Sequence, residues 1–255
     1  MRLGQNFLAD TNLLEAIVRE SGAGPGDVVL EVGGGEGALS LLLAPRVERL
    51  WVVELDRRLA EPLEALVAST ANVEVVWGDA METDLAALEP PPTRVVSNLP
   101  YSIATPLILR TIAELPGVGR WTVLVQREIA ERLRAAPGSR VYGAPSVIAQ
   151  LACRVELLRT VDRAVFVPRP RVDSALLRLE RTGTAAPERL VRLVRGAFAH
   201  RRKTLAGSLE LAGVADRGRA REALAGAGLD GDVRAEALAP EDFIRLDARL
   251  DSSST

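Results

Sequence analysis

The segment Asn98-Leu99-Pro100-Tyr101 places a carboxamide, a rigid turn and an aromatic ring side by side. It follows a strand-like run at residues 94–97 and precedes a helix-like stretch, so we expect it at the carboxyl end of a sheet strand, where open α/β sheets bind ligands. Its oxygens can accept N–H bonds from a planar amine such as that of adenine, and its tyrosine offers a stacking face. An Asn-Pro turn with a packing tyrosine is the alternative interpretation.

A second candidate is the glycine-rich loop at residues 33–37, between the first predicted strand and the helix after it. Its spacing fits the pattern Gly33-x-Gly35-x-Gly37 and also the nicotinamide-type pattern that ends at Ala38. Under either pattern Glu54, which ends the second strand, would bind ribose hydroxyls. The loop predicts a nucleotide-like ligand without choosing between the two patterns, and a tight turn without a ligand is the remaining alternative.

Polar residues follow four successive predicted strands. Asp79, after the third strand, could accept a hydrogen bond from the adenine amine of a cofactor, and Asn98 ends the fourth strand. Because ligands bind at the carboxyl ends of parallel strands, we expect Gly33, Glu54, Asp79 and Asn98 to line one edge of the sheet. Each acid alone could equally be a helix cap or a solvated loop residue.

The elements that must position these residues alternate between strands and helices. The sequence predicts strands at 28–32, 50–53, 73–77, 94–97, 121–125, 155–161 and 175–179, separated by helices. This alternation is typical of a Rossmann-like α/β fold with a mostly parallel sheet of about seven strands and an antiparallel edge. From Glu188 onward only helical periodicity remains. We therefore predict two domains, a ligand-binding domain at 1–183 and a small all-helical domain at 184–255.

Composition limits the class of protein. The chain has 255 residues, of which 47% are hydrophobic and 26% charged, as in an ordinary globular protein. It has no apolar run long enough to span a membrane, and its first residues lack the apolar core of a signal peptide, so we expect a cytoplasmic protein without a membrane partner. With one cysteine, Cys153, and one histidine, His200, the chain also lacks the ligands of a zinc site.

Basic residues are concentrated in one part of the chain. Residues 120–205 contain 18 Arg or Lys and 7 Asp or Glu, although the whole chain has a net charge of −2. Such segregation suggests a basic face that would bind a phosphate backbone. Alternatively, arginine is simply the usual basic residue of this sequence, with Lys203 its only lysine, and many of these arginines lie on solvated helix faces.

Taken together, motifs along nearly the whole chain resemble those of the S-adenosylmethionine-dependent ribosomal RNA adenine dimethylases. They are Gln5-Asn6-Phe7-Leu8, the loop 31–37, Glu54-Leu55-Asp56, Gly78-Asp79-Ala80, Asn98-Leu99-Pro100-Tyr101, the segments 125–132 and 142–143, Phe166-x-Pro168-x-Pro170, Val172-Asp173-Ser174-Ala175, the block from Phe198 to Thr204, and Pro240-Glu241-Asp242-Phe243. Among these enzymes the chain is most similar to the branch that dimethylates two adjacent adenosines near the 3′ end of small-subunit (16S) rRNA.

The resemblance implies a reaction and a set of site residues. It implies that the protein binds S-adenosylmethionine, uses no metal and releases S-adenosylhomocysteine as the product. The residues that would line the cofactor site are Asn6, Leu8, Gly33, Gly35, Glu54, Asp79 and Asn98. Asn98 and the Leu99 carbonyl would orient the target amine, and Pro100 would stiffen the turn. Tyr101 and Phe166 would clamp the flipped base. The stiff, proline-braced setting of Phe166 suits an exposed stacking platform, although a lone phenylalanine is more often part of a core.

The resemblance also implies an RNA partner, small-subunit rRNA in a pre-30S particle. The arginine-rich segment 120–205, including Arg201, Arg202 and Lys203, would contact it, and we expect a monomer. For the three-residue run a solvated helix face is the alternative.

Three other functions compete with this interpretation. The macrolide-resistance relatives methylate one large-subunit adenosine with a similar fold, but commonly carry isoleucine in place of Leu99 and lack the block from Phe198 to Thr204. A ribosome-assembly factor that has lost catalysis is the second, and a nicotinamide dehydrogenase is the third. One departure from the family pattern lies near the site, where Ser102 stands at a position that is often asparagine.

Overall fold

The computed structural model describes residues 6–252, which form two compact units. Within the described residues, the first unit comprises 6–130 and 154–181, and the second comprises 131–153 and 182–252. In the described part of the chain, no helix is long and apolar enough to cross a membrane.

A seven-stranded sheet forms the centre of the first unit. Its strands, in the spatial order β4-β3-β2-β5-β6-β9-β7, are β2 (Val28–Val32), β3 (Arg49–Glu54), β4 (Val73–Trp77), β5 (Arg94–Asn98), β6 (Arg120–Gln126), β7 (Cys153–Val161) and β9 (Ser174–Arg181). The strands from β4 to β6 pair in parallel, and β9 pairs antiparallel with β6. The predicted mostly parallel sheet with an antiparallel edge is therefore confirmed.

Helices precede, connect or follow the parallel strands along the chain. They are α1 (Thr11–Ser21), α2 (Ala38–Leu43), α3 (Ala60–Ser69), α4 (Ala104–Glu114) and α5 (Arg127–Leu133), the last of which begins in the first unit and ends in the second. Local chemistry sets the ends of α1, because the Asp10 side chain accepts from the Leu13 N–H and Gly22 closes the helix with a left-handed φ of 58°. All five residues of β2 are buried, as expected for a central parallel strand covered on both faces.

A separate two-stranded sheet was not predicted. It pairs β1 (Phe7–Leu8) with β8 (Phe166–Val167) in antiparallel register, with Leu8 opposite Phe166. The Ala9 N–H extends the pairing by donating to the Val165 carbonyl at 3.1 Å. This short sheet joins the start of the described chain to the loop that precedes β9.

The second unit is helical. It contains α6 (Ala144–Ala152), α7 (Glu188–Ala199), α8 (Leu205–Leu211), α9 (Arg217–Gly226) and α10 (Pro240–Ser252). Three aromatic rings meet inside it, since Phe198 lies 5.9 Å from Tyr142 and 6.0 Å from Phe243 between ring centroids. The buried Tyr142 hydroxyl donates to the Leu238 carbonyl at 2.9 Å.

The sequence analysis predicted a division between residues 183 and 184, and the two compact units differ from it in one segment. Residues 131–153, which the sequence analysis assigned to the first domain, belong to the helical unit. The physical reason is that α6 packs against α7 and α10, and that Tyr142 supplies one ring of the aromatic cluster. The remaining boundary, at residues 181 and 182, lies close to the predicted one.

Candidate active site at the carboxyl ends of the strands

The four strand ends that carry the predicted site residues are neighbours in the sheet. Strands β4, β3, β2 and β5 lie side by side, which brings Asp79, Glu54, Gly33 and Asn98 to one edge. All four residues line a single cavity of about 330 Å³. The direction of chain progression reverses between β2 and β5, the kind of position where α/β sheets bind ligands. The predicted juxtaposition is confirmed.

The glycine loop makes a tight turn that lines this cavity. Gly33 has a φ of 82° and Gly35 a φ of 58°, both in the left-handed region that residues with a Cβ rarely adopt. A Cβ at Gly33 would lie 3.3 Å from the Pro100 ring, so the loop and the Asn98–Tyr101 segment approach each other closely. This approach connects the two motifs that the sequence analysis singled out.

Glu54 is tied to the glycine loop. It is buried, and its two carboxylate oxygens accept from the Gly35 N–H at 3.0 Å and the Asp56 N–H at 2.8 Å. A carboxylate has about four lone-pair sites, so two remain for hydroxyl donors of a ligand. The side chain is thus fixed by backbone donors and can still accept.

Asp79 lies in a loop that a helix residue holds in place. The Asp79 carboxylate accepts from the Met81 N–H at 2.8 Å, and the side chain is exposed. Arg110 of α4 donates to the carbonyls of Ala80 and Thr83, at 2.7 and 2.9 Å. The helix that starts just after the Asn98–Tyr101 segment therefore also fixes the loop that carries Asp79.

The Asn98 carboxamide is oriented by the chain itself. Its Nδ2 donates to the Asn6 backbone carbonyl at 3.2 Å, which assigns Oδ1 as the atom available to accept. The Leu99 N–H donates to the Leu124 carbonyl at 3.0 Å, and the Leu99 side chain is buried. The turn at Pro100 is closed by an N–H donated from Ile103 at 3.1 Å. These contacts fix the segment against the sheet.

Tyr101 lines the cavity and is anchored at its hydroxyl. The hydroxyl lies 2.7 Å from Oγ of Ser174, the buried first residue of β9. Burial raises the pKa of the Tyr101 hydroxyl, and the hydrogen bond with Ser174 only partly offsets this. The ring is half-buried and held at its far end, as a fixed stacking surface requires.

Phe166 does not form the exposed platform that the sequence analysis expected. It is 2% exposed and belongs to the apolar core of the first unit, and it is not among the residues that line the cavity. The reason is the β1–β8 pairing, which sets Phe166 opposite Leu8 and turns its ring into the core. The prediction of an exposed aromatic wall at this position is wrong.

Asn6 and Leu8 do line the cavity, and so do three side chains to which the sequence analysis gave no role. Phe7 lies against the glycine loop, where a Cβ at Gly35 would be 3.4 Å from its ring. Leu55 presents a half-exposed apolar side chain directly after Glu54. The third is Glu31 of β2, and an acid within an otherwise apolar strand was the signal that could have identified it. Gln5, which belongs to the motif Gln5-Asn6-Phe7-Leu8, lies outside the described residues.

The cavity is acidic. Its described lining contains the carboxyl groups of Glu31, Glu36, Glu54 and Asp79, and no Lys, Arg or His. An acidic lining with a glycine cradle and a half-exposed leucine fits a cationic nucleoside ligand such as S-adenosylmethionine, which carries a sulfonium and an ammonium group. Among residues 6–252 no three or more His, Cys, Asp and Glu side chains are grouped as metal ligands. The absence of a metal from the reaction stays a prediction.

Many arginines of the segment 120–205 are engaged within the protein. Glu180 accepts from Arg120 at 2.8 Å and pairs with Arg154, while Arg178 bonds Glu156 at 2.7 Å. In the second unit Arg201 donates to the Tyr142 carbonyl at 3.1 Å. The segment is also divided between the two units.

Other basic side chains of the segment are exposed to solvent. In the first unit they include Arg169 and Arg171, which follow β8 and its exposed Val167 along the chain. In the second unit they include Arg192, Arg195, Arg202 and Lys203. These groups, rather than the whole segment, are the candidates for contact with a phosphate backbone.

Comparison with known proteins agrees with this site. The ribosomal RNA adenine dimethylase family matches residues 1–252. A ribosomal RNA small subunit methyltransferase A from Rubrobacter xylanophilus is 44% identical over 98% of this chain and 94% of its own.

Two solved structures are also similar. A dimethyladenosine transferase from Plasmodium falciparum aligns with a TM-score of 0.83 at 24% identity, over 97% of this chain and 98% of its own. The 23S rRNA methyltransferase ErmE aligns with a TM-score of 0.69 at 31% identity, over 96% of this chain and its full length. Together with the acidic cavity and the Asn98–Tyr101 segment, these matches show that the chain belongs to the ribosomal RNA adenine dimethylases, which are S-adenosylmethionine-dependent methyltransferases.

Proposed function

We propose that the protein transfers methyl groups from S-adenosylmethionine to the N6 amines of two adjacent adenosines near the 3′ end of small-subunit rRNA during 30S biogenesis. The observation that carries this proposal is the oriented Asn98 carboxamide, placed beside the glycine loop at the edge of an acidic cavity. The name of the Rubrobacter relative supports the choice of the small subunit.

The cofactor would be held by the residues that line the strand-end edge. We assign Glu54 to the ribose hydroxyls and Asp79 to the adenine amine, and backbone groups of Gly33 and Gly35 to close contact with the ligand. Asn6 and Leu8, with the neighbouring Phe7, would cover it. S-adenosylmethionine supplies an electrophilic methyl group on a sulfonium that leaves readily as a thioether.

Asn98 would act by orientation. With Nδ2 donating to the Asn6 carbonyl, Oδ1 would serve as the acceptor for one N–H of the target amine. The Leu99 carbonyl would accept the other, so that the nitrogen lone pair is directed away from the two acceptors. Because the sulfonium is a good leaving group, this step needs no strong general base, and the amine proton can leave after attack. Catalysis would therefore depend mainly on position and exclusion of water.

Tyr101 would be the stacking partner of the extruded adenine. Its ring lines the cavity, and the bond between its hydroxyl and Ser174 holds the far end of the side chain in place. Base–aromatic stacking contributes roughly 1–3 kcal/mol per base. Because Phe166 is buried in the core, we assign base stacking to Tyr101.

The RNA would be held by exposed basic groups of both units, Arg169 and Arg171 in one and Arg202 and Lys203 in the other. Arg201 is assigned a mixed role, because it is exposed yet donates to the Tyr142 carbonyl. We expect the protein to act as a monomer on a pre-30S particle, and binding to weaken steeply with salt, as for other phosphate-backbone contacts.

The proposal is tested by offering purified protein and labelled S-adenosylmethionine two substrates, immature 30S particles and 23S rRNA. We expect label in 30S particles, and loss of labelling with Glu54→Ala. Glu61→Ala is the control, since Glu61 is an exposed acid in the first turn of α3. Labelling of 23S rRNA alone would support methylation of large-subunit rRNA, the activity for which ErmE is named, and would overturn the proposed substrate. Undiminished transfer by the Glu54 variant would overturn the assigned site.

A further inference from the structure

Glu31 is a buried acid in the cavity that none of the roles above uses. It is 2% exposed, in the all-buried strand β2, and also lines the cavity. Its Oε2 accepts a hydrogen bond from the Ser40 hydroxyl of α2, at 2.6 Å. A buried carboxyl group without a cationic partner is normally kept neutral, because a lone charge in a medium of low dielectric constant is costly.

The groups that face Glu31 along the cavity do not provide a positive charge. They are Glu54 at the end of β3, Asp79 after β4, the exposed Glu36 on the glycine loop and the Tyr101 hydroxyl. No Lys, Arg or His lines the part of the cavity that the structure describes. Burial, with a smaller contribution from the charge of Glu54, raises the pKa of Glu31 to about 8. The positive charge that would ionise Glu31 must therefore come from a ligand.

We propose that Glu31 is a proton-linked charge sensor: it holds a proton while the cavity is empty and releases it when a cationic cofactor binds. This inference rests on the proposed binding of S-adenosylmethionine in the cavity. It gives a role to Glu31, to which we assign no contact with the nucleoside of the cofactor or with the target base.

The reaction would change the state of this sensor. Methyl transfer breaks the bond between sulfur and methyl carbon, leaves its electron pair on sulfur and forms a carbon–nitrogen bond from the lone pair of the amine. The sulfonium becomes a neutral thioether, and the amine proton goes to solvent. With less positive charge in the cavity, Glu31 takes a proton back. Glu31 would thus favour S-adenosylmethionine over S-adenosylhomocysteine, increasingly so as the pH rises toward the pKa of Glu31.

Calorimetric titration with each of the two ligands tests this directly. Titrations from about pH 6 to about pH 9, each in two buffers of different ionisation enthalpy, give the number of protons released. Both ligands carry an α-amino group whose own titration contributes to the measured release, so every titration is repeated with Glu31→Gln. The part of the release that this substitution removes is assigned to Glu31. We expect release approaching one proton per S-adenosylmethionine below the pKa of Glu31, and less than half of that for S-adenosylhomocysteine.

Three variants separate proton linkage from simple loss of charge. Glu31→Gln keeps an acceptor for Ser40 and should abolish the difference in proton release, with an order-of-magnitude loss of preference for S-adenosylmethionine at about pH 8. Ser40→Ala removes the bond that favours the charged form, so the release curve should move to higher pH. Glu36→Gln removes an exposed cavity acid and should weaken binding without changing the release curve.

The outcomes distinguish this inference from the proposed function. If neither ligand binds the wild-type protein, the assignment of the cavity fails. If both ligands bind and release equal numbers of protons, or if Glu31→Gln keeps the wild-type difference, the cavity assignment stands and the sensor role is overturned. Should Glu31→Gln not fold, an unshifted release curve in Ser40→Ala would overturn it equally.

Discussion

The strand-end edge of the cavity and the short β1–β8 sheet are built in different ways. Gly33, Glu54, Asp79 and Asn98 reach the edge because four parallel strands end there, and each strand is apparent in the local sequence. Phe166 is placed by a pairing with Leu8, far away along the chain. Residues that are fixed by local strand ends can therefore be located from sequence, whereas residues that are fixed by distant pairing cannot.

The largest expected effect comes from the β1–β8 sheet. Phe166→Ala should lower the free energy of unfolding by about 4 kcal/mol, because it removes a fully buried ring and leaves a cavity in the core. Thermal or denaturant unfolding of the purified variant measures this. Val167→Ala, at the exposed neighbouring position, is the control and should cost little. A Phe166 variant as stable as wild type but defective in transfer would restore the stacking role that the structure contradicts.

The next largest effect is expected at the strand-end edge. Asn98→Ala should lower the turnover number about 100-fold, because the target amine loses its positioning acceptor. Unfolding should change far less than in Phe166→Ala. Asn12→Ala, on the exposed face of α1, serves as the matched control. Rates within twofold of wild type for Asn98→Ala would show that the carboxamide does not orient the amine.

Tyr101 allows a more direct contrast with Phe166. Tyr101→Ala should reduce transfer by roughly 10-fold to 100-fold, in line with the loss of one base–aromatic stack, with a smaller loss of stability than Phe166→Ala. Steady-state kinetics and unfolding on the same preparations separate the two effects. If Tyr101→Ala and Phe166→Ala lost stability and activity in the same proportion, the different roles assigned to the two rings would be wrong.

The residues of the strand-end edge could be predicted from the sequence, whereas the β1–β8 sheet could not, and the reasons are physical. Short runs rich in β-branched residues, such as 28–32 and 94–97, predict strands from the local sequence, so the residues after them could be assigned to one edge. A two-residue strand such as Phe166–Val167 has no periodicity, and its burial depends on its partner. Likewise, helical periodicity in 144–152 shows an apolar face but not which core covers it. Arginine counts do not reveal that Glu180 pairs with Arg120 and Arg154.

Glu31 predicts a pH dependence of stability. Its folded-state pKa is raised to about 8, so between the unfolded pKa and about pH 8 the native state binds the extra proton. The free energy of unfolding should therefore fall as the pH rises through this range, by at most about 1.4 kcal/mol per pH unit. Glu31→Gln should remove this part of the slope, as measured by denaturant unfolding at several pH values. An identical slope in both proteins would mean that Glu31 is charged in the native state.

The smallest effect is expected for the contact between Tyr101 and Ser174. Tyr101→Phe keeps the ring and loses one hydrogen bond, worth about 1 kcal/mol, and Ser174→Ala should behave similarly. The double variant should be no worse than the single ones if the two groups act through this bond. Kinetics of all four proteins give the interaction energy. Strictly additive losses would show that the hydroxyl does not position the ring through Ser174.

Mass mapping of the nucleosides in small-subunit rRNA tests the central claim most directly, that the strand-end edge orients an rRNA adenine amine for methyl transfer. Immature 30S particles are incubated with S-adenosylmethionine and either the wild-type protein or Asn98→Ala, and the methylated nucleosides are located along the RNA. We expect N6,N6-dimethyladenosine at two neighbouring positions near the 3′ end with the wild-type protein, and its near absence with Asn98→Ala. Methylation of another base, or an undiminished yield from the variant, would contradict it.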